Sequence, residues 1–200
     1  MNWQTYSDRY ERELLESIIP FWENNSIDKK YGGFFTYLDR DGSVYDMDKY
    51  MWMQWRIVYI FATLYNSKYK KDSWLDIAIN GYNFLTKNGV DSSGNSYFAL
   101  NRKGEPIIAP YNIFSEAFAM MGSAALFKAT SEEKYKTSAV RTMNNYVKQF
   151  DNPKGKWDKS MFARKRRLNL RTYMILANLG IIARDCLNNN DYFSPSNVGG

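Results

Sequence analysis

Arg56 is the first residue whose setting points to chemistry. It lies in Lys49–Tyr65, a run of apolar and aromatic residues without Gly or Pro, interrupted only by Lys49, Gln54, Arg56 and Thr63. Such a run predicts a helix apolar on all sides, which is normally buried on all sides. A guanidinium carried into that setting needs a carboxylate, backbone carbonyls or a ligand anion, because an unpaired buried charge is costly. Two readings follow: an ion pair with a core carboxylate, or an arginine lining an internal pocket. At about 100° per residue, Lys49, Trp52 and Arg56 share one face of such a helix, and Gln54 points elsewhere. Glu116 is the second candidate, an isolated carboxylate in another nearly uncharged helical run. Glycoside hydrolysis needs two carboxylates across one cleft, and Glu116 has no visible companion.

Missing residue types narrow the chemistry further. The 200 residues include no His and a single Cys, Cys186. The side chain that most readily moves protons near neutral pH is therefore absent. No phosphate-binding loop, dinucleotide fingerprint or metal-ligand cluster is present. The net charge of +6 is concentrated in residues 154–171, which hold eight basic residues against one acid, Asp158. One compact basic run in a predicted connection differs from the basic face that nucleic-acid binding requires, so no nucleic-acid partner is expected. The chain has no apolar run of membrane-spanning length and no secretory leader after Met1, which predicts a cytoplasmic protein with no membrane partner.

Six helices are predicted to position these residues. The first covers 3–25, with Pro20 kinking or shortening it; the second is the Arg56 helix. The third runs from a cap at Asp72 or Ser73 to Lys87, the fourth over 111–129, the fifth from Ser131, and the sixth from Leu168 to Leu187. Short hairpins are predicted at 34–38 with 44–45, around Asp39-Arg40-Asp41-Gly42, and at 97–100 with 107–108. Helices one, three and five each carry a charged face, whereas two, four and six are nearly uncharged in their middles. This alternation predicts an all-α, double-layered (α/α) helical toroid with the even helices inside. Three helical hairpins make half of a six-hairpin ring. Residues 1–187 form this unit, and 188–200 read as an irregular tail.

A broken run over residues 32–56 and a second motif at 113–116 carry a family resemblance. Gly32-Gly33-Phe34-Phe35-Thr36, Asp39-Arg40-Asp41-Gly42 and Lys49-Tyr50-Met51-Trp52-Met53-Gln54-Trp55-Arg56, followed by Ile113-Phe114-Ser115-Glu116, resemble the N-acylglucosamine 2-epimerase family. The resemblance implies an (α/α)6-barrel fold and interconversion of N-acetylglucosamine and N-acetylmannosamine. It implies no required cofactor, with ATP or another nucleotide as an effector in some members. It also implies that Arg56 is the active-site arginine, with Tyr50, Trp52 and Gln54 in the same motif and Glu116 in the second as substrate-binding candidates. Asn178 and Met174 of the sixth helix are placed to reach the same cavity, Met174 more as a packing residue. Inverting C2 of the open-chain sugar creates an enolate, and a fixed guanidinium near its oxygen stabilises charge that develops in the transition state. The two histidines that exchange the proton in the resembled enzymes belong to the second half of a chain about twice this length. The expected activity of these 200 residues alone is therefore nil, as for a truncated epimerase, and half a toroid with open apolar flanks is expected to dimerise. The alternative is a non-catalytic sugar- or nucleotide-binding module completed by a partner chain.

Overall fold

The computed structural model describes residues 2–155 and 170–188. The first helix is continuous in path but mixed in type: α1 (Trp3–Arg12), a π-helical segment (Glu13–Ile18) and α2 (Ile19–Asn25). Pro20 does not end it. The widened π turn falls just before the proline, where the missing N–H and the ring disturb the preceding ladder. The remaining helices are α3 (Met51–Tyr65), α4 (Asp72–Asn88), α5 (Phe114–Thr130), α6 (Glu133–Lys148) and α7 (Leu170–Leu187). Ser131 ends α5 rather than opening α6. It adopts φ 60°, the left-handed conformation common where a helix stops.

α5 packs against α3, α6 and α7, and α4 packs on α3. Of the three helices predicted to lie inside, α3 and α5 lie between the others, whereas α7 packs on α5 and leaves Leu170, Met174 and Ile181 exposed. Two apolar clusters form, one centred on α3 and α4 and one on α5, α6 and α7; Tyr59, Phe118 and Phe127 pack against both. α1 contributes no buried residue, and Trp3 and Tyr10 are largely exposed.

The hairpins are shorter and more connected than their sequence pattern suggests. β1 (Tyr37–Leu38) pairs with β2 (Val44–Asp46), while β3 (Lys49–Tyr50), β4 (Ala99–Leu100) and β5 (Pro106–Ile108) form an antiparallel sheet. β3 corrects the predicted start of the Arg56 helix. Lys49 lies in a strand opposite Leu100, and α3 begins only at Met51, so Lys49 does not share the Trp52–Arg56 helical face. Pairing across 50 residues of sequence has no local signature.

The buried ion pair expected of Arg56 belongs to Lys49 instead. Lys49 Nζ is 3.0 Å from Asp28 Oδ2, and both side chains are fully buried. Nζ also donates to the carbonyls of Gly32 (2.6 Å) and Arg102 (2.8 Å). Arg102 Nε reaches the same carboxylate oxygen at 3.0 Å. This cluster fastens the loop after α2 to the β4–β5 turn. Above it, Gly33 (φ 69°) brings the backbone close to α4, where Gly81 leaves room for the Phe34 ring. A Cβ at Gly81 would run into that ring.

No described helix is long and apolar enough to cross a membrane. Most of the basic run 154–171, the predicted start of the sixth helix at Leu168 and the tail from 189 lie outside the described residues.

Candidate active site

Trp52 and Arg56 are one helical turn apart on α3, so their side chains lie one above the other. The Arg56 guanidinium carbon is 5.0 Å from the Trp52 ring centre and 4.4 Å from that of Phe118 on α5. The two rings are 6.4 Å apart and inclined at 44°. Among the described residues no carboxylate lies in ion-pair range of Arg56. The cation is instead held against π-faces, which attract it without consuming its hydrogen-bond donors. Partial burial pushes the guanidinium pKa down from its usual value, yet arginine starts far too high to lose its proton at neutral pH. A half-buried, permanently charged donor without an anionic partner is suited to an oxygen that becomes negative during a reaction. Phe118 was not a sequence candidate. Its signal would have been its place two residues after Glu116, since aromatic faces are a further way to accommodate a cation.

Tyr50 belongs to an adjoining aromatic row. Rings of Tyr45, Tyr37, Tyr50, Phe98 and Tyr111 follow one another edge to face at centroid distances of 5.6, 5.9, 5.5 and 5.1 Å. The row crosses both hairpins at one end of the helices. Burial and the hydrogen bond with Tyr50 push the Tyr37 hydroxyl up to about 12, so it remains a neutral phenol over the physiological range.

The other sequence candidates face elsewhere. Gln54 and Arg56 are two residues apart, roughly 200° around the helix. Gln54 is fully buried, its Oε1 accepting from Phe34 N (2.9 Å) and its Nε2 donating to Phe34 O (2.7 Å). Its amide is occupied by backbone. The same spacing separates Glu116 from Phe118, so Glu116 points away from the Arg56 side of α5. It is 1% exposed, Oε1 accepts from Ser96 N at 2.7 Å, and Oε2 is buried without a partner among the described residues. Burial raises its pKa. It borders a separate cavity of about 160 Å³ with Asn95, Tyr111, Asn112, Gln149 and Lys154. Asn178 is exposed on α7 together with Met174, which is 62% exposed rather than packed in the core as expected. The structure thus brings Arg56 and Trp52 together with Phe118, and sets Tyr50, Gln54, Glu116 and Asn178 in other surroundings.

Comparison with known proteins identifies the family and the fold. The sequence pattern of the N-acylglucosamine 2-epimerase (GlcNAc 2-epimerase) family matches residues 33–196. The chain is 38% identical to the N-acylglucosamine 2-epimerase of Mus musculus over 148 residues, covering 72% of this chain and 35% of that protein. It is 31% identical to the cellobiose 2-epimerase of Dictyoglomus turgidum over 125 residues, 60% of this chain and 31% of the relative. Among solved structures it resembles the cellobiose 2-epimerase of Bacillus thermoamylovorans B4167, with a TM-score of 0.78 at 19% identity, over 94% of this chain and 53% of that one. The chain spans about a third of the length of the curated relatives it matches, and its fold is about half of an (α/α)6 toroid. By the extent of the family match and the identity to its members, the chain belongs to the N-acylglucosamine 2-epimerase family.

Proposed function

We propose that these residues carry the oxyanion-stabilising part of a sugar 2-epimerase site whose substrate is an N-acyl amino sugar. The observation that carries this reading is the Arg56 guanidinium, held against the Trp52 and Phe118 rings with no carboxylate partner among the described residues. Identity is higher to the N-acylglucosamine enzymes than to the cellobiose enzymes, which favours the amino sugar.

Epimerisation at C2 begins with ring opening to the C1 aldehyde. Loss of the C2 proton then moves negative charge onto O1, and return of a proton to the opposite face completes inversion. Arg56 would donate to O1 as that charge appears, and the Trp52 ring would shield the contact from water. The proton needs a carrier that titrates near neutral pH. Among the described residues, the Tyr37 phenol is pushed too high and Glu116 faces the other side of α5. The 200 residues include no histidine. These residues therefore supply charge stabilisation without proton transfer.

Deuterium incorporation at C2 of N-acetylglucosamine in deuterated water tests both halves of this reading. The 200-residue chain alone is expected to match the protein-free blank, with and without ATP. Incorporation above the blank that Arg56→Ala abolishes would mean that Glu, Lys or Tyr residues move the proton, and would overturn the division of roles. In a preparation that epimerises, Arg56→Ala is expected to slow exchange by about 10²–10³-fold. The melting temperature should change little, because a partly exposed cation–π contact contributes only about 0.5–2 kcal/mol. An unchanged rate with a large fall in melting temperature would assign Arg56 to structure.

A further inference from the structure

The outer side of α4 carries a second concave feature, separate from Arg56. A groove of about 620 Å³ runs between α4, the loop after α2 and the β4–β5 turn. Lys30, Lys87 and Lys103 line it against one carboxylate, Asp76, with the amides of Asn80 and Asn83 between them. Lys87 and Lys103 have no carboxylate in ion-pair range among the described residues. Lys30 lies over the Tyr31 ring, 5.3 Å from its centre. The groove is thus a local excess of positive charge with neutral, exposed amide donors among its lining residues.

The three lysines come from distant parts of the sequence, and the buried Asp28–Lys49 cluster explains why they line one groove. Lys49 Nζ bonds the carbonyls of Gly32 and Arg102 at once, while Asp28 accepts from both cations. That fixes the loop bearing Lys30 against the turn bearing Lys103. Asp28 also accepts from the backbone N–H groups of Lys30 (3.1 Å) and Tyr31 (3.3 Å), holding the loop's own shape. Across the groove, Gly104 packs so closely on Asn88 that a Cβ there would clash, which places the turn beside Lys87. The lysines are long and exposed, but their stems start from a rigid frame. Bringing like charges together without carboxylate partners costs energy unless an anion completes the set.

We propose that this groove binds a phosphate-bearing small molecule, with Lys30, Lys87 and Lys103 neutralising the phosphate and Asn80 and Asn83 donating to its oxygens. The volume accommodates a sugar phosphate or a short polyphosphate, which share this chemistry. Lysine meets phosphate as a mobile point charge, so binding falls as salt rises. The site is distinct from the proposed epimerase site, and occupancy of one does not require the other.

Titration of the 200-residue chain with glucose 6-phosphate and with inorganic tripolyphosphate, followed by two-dimensional NMR of the asparagine side-chain amides, tests this. Either probe should shift the Asn80 and Asn83 signals saturably, and the tighter of the two identifies the source of the phosphate. Lys87→Glu with Lys103→Glu, two exposed changes, should raise Kd at least about tenfold, since each replaces attraction by repulsion at short range. Arg56→Ala should leave Kd unchanged. The proposal is overturned if neither probe moves those signals at 10-millimolar order of concentration. It is also overturned if the double variant binds as the wild type does, if Arg56→Ala abolishes binding, or if the shifts centre on the basic connection 154–171.

Discussion

Asp28→Asn is expected to lower the free energy of unfolding at pH 7 by about 3–5 kcal/mol, because it leaves the buried Lys49 ammonium without its counter-charge. Lys49→Met should be destabilising for the mirrored reason. The double variant should lose less than the two single losses combined, since neither charge is then left alone. Arg102→Ala should cost less than either, because its side chain is a third exposed and water can replace part of what it gives. Chemical denaturation of the four variants separates these cases, and a loss below about 1 kcal/mol for Asp28→Asn would show that the cluster is dispensable.

The cluster also sets the acid limit of the fold. Burial pushes the Asp28 carboxyl up, but hydrogen bonds from Arg102 and Lys49 outweigh it and hold the carboxyl at about 2. A folded-state pKa below the unfolded value near 4 gives stability that is fully present above about pH 4 and is lost as pH falls towards 2. Asp28→Asn should therefore flatten the stability profile across that window. An acid limb of unchanged depth in the variant would move its origin to other carboxylates.

Gln54→Ala is expected to cost about 2–5 kcal/mol, because it strands both the N–H and the C=O of Phe34 inside the core. Gln54→Glu makes the sharper test. A carboxylate there would face the Phe34 carbonyl with two acceptors, whereas a protonated acid can accept from the N–H and donate to the C=O. Its folded-state pKa should be raised above that of an ordinary glutamic acid. The regained stability is then fully present below the unfolded pKa near 4.3 and is lost as pH rises through the folded value. The variant should accordingly be more stable, relative to wild type, at pH 5 than at pH 7. Equal deficits at both values would mean that the 54 side chain has turned out of the core. A substrate-binding role for Gln54 predicts the opposite pattern, with stability preserved and sugar binding lost.

Local pattern made much of this protein legible. The apolar circumference of Lys49–Tyr65 and of the α5 segment identified the two central helices, because burial on all sides removes the need for a polar face. The same pattern in the sixth helix did not bring burial on all sides, since α7 leaves Leu170, Met174 and Ile181 exposed. The charged faces of α1, α4 and α6 marked the helices around them. The Gly32-Gly33 and Trp52-to-Arg56 motifs carried the family, and one-turn spacing alone placed Trp52 beside Arg56.

Partners distant in sequence were decided only by the tertiary structure. The chain has many carboxylates, and nothing in its order says that Asp28 pairs with Lys49, or that Arg56 pairs with none among the described residues. β3 exists because β4 lies opposite it, 50 residues on, so the local helical pattern at Lys49 was overridden by a non-local ladder. Gln54 and Glu116 each sit two residues from the Arg56 contact on their helices. Their spacing put them on the far sides, but only packing showed what fills those sides: the Phe34 backbone for one, the Ser96 N–H and a small cavity for the other. Residue type and spacing determined the helices, their faces and the charge on Arg56. Which neighbour answers each buried polar group was a matter of how the faces came together, since hydrogen bonds and ion pairs act over a few ångströms in space regardless of separation along the chain.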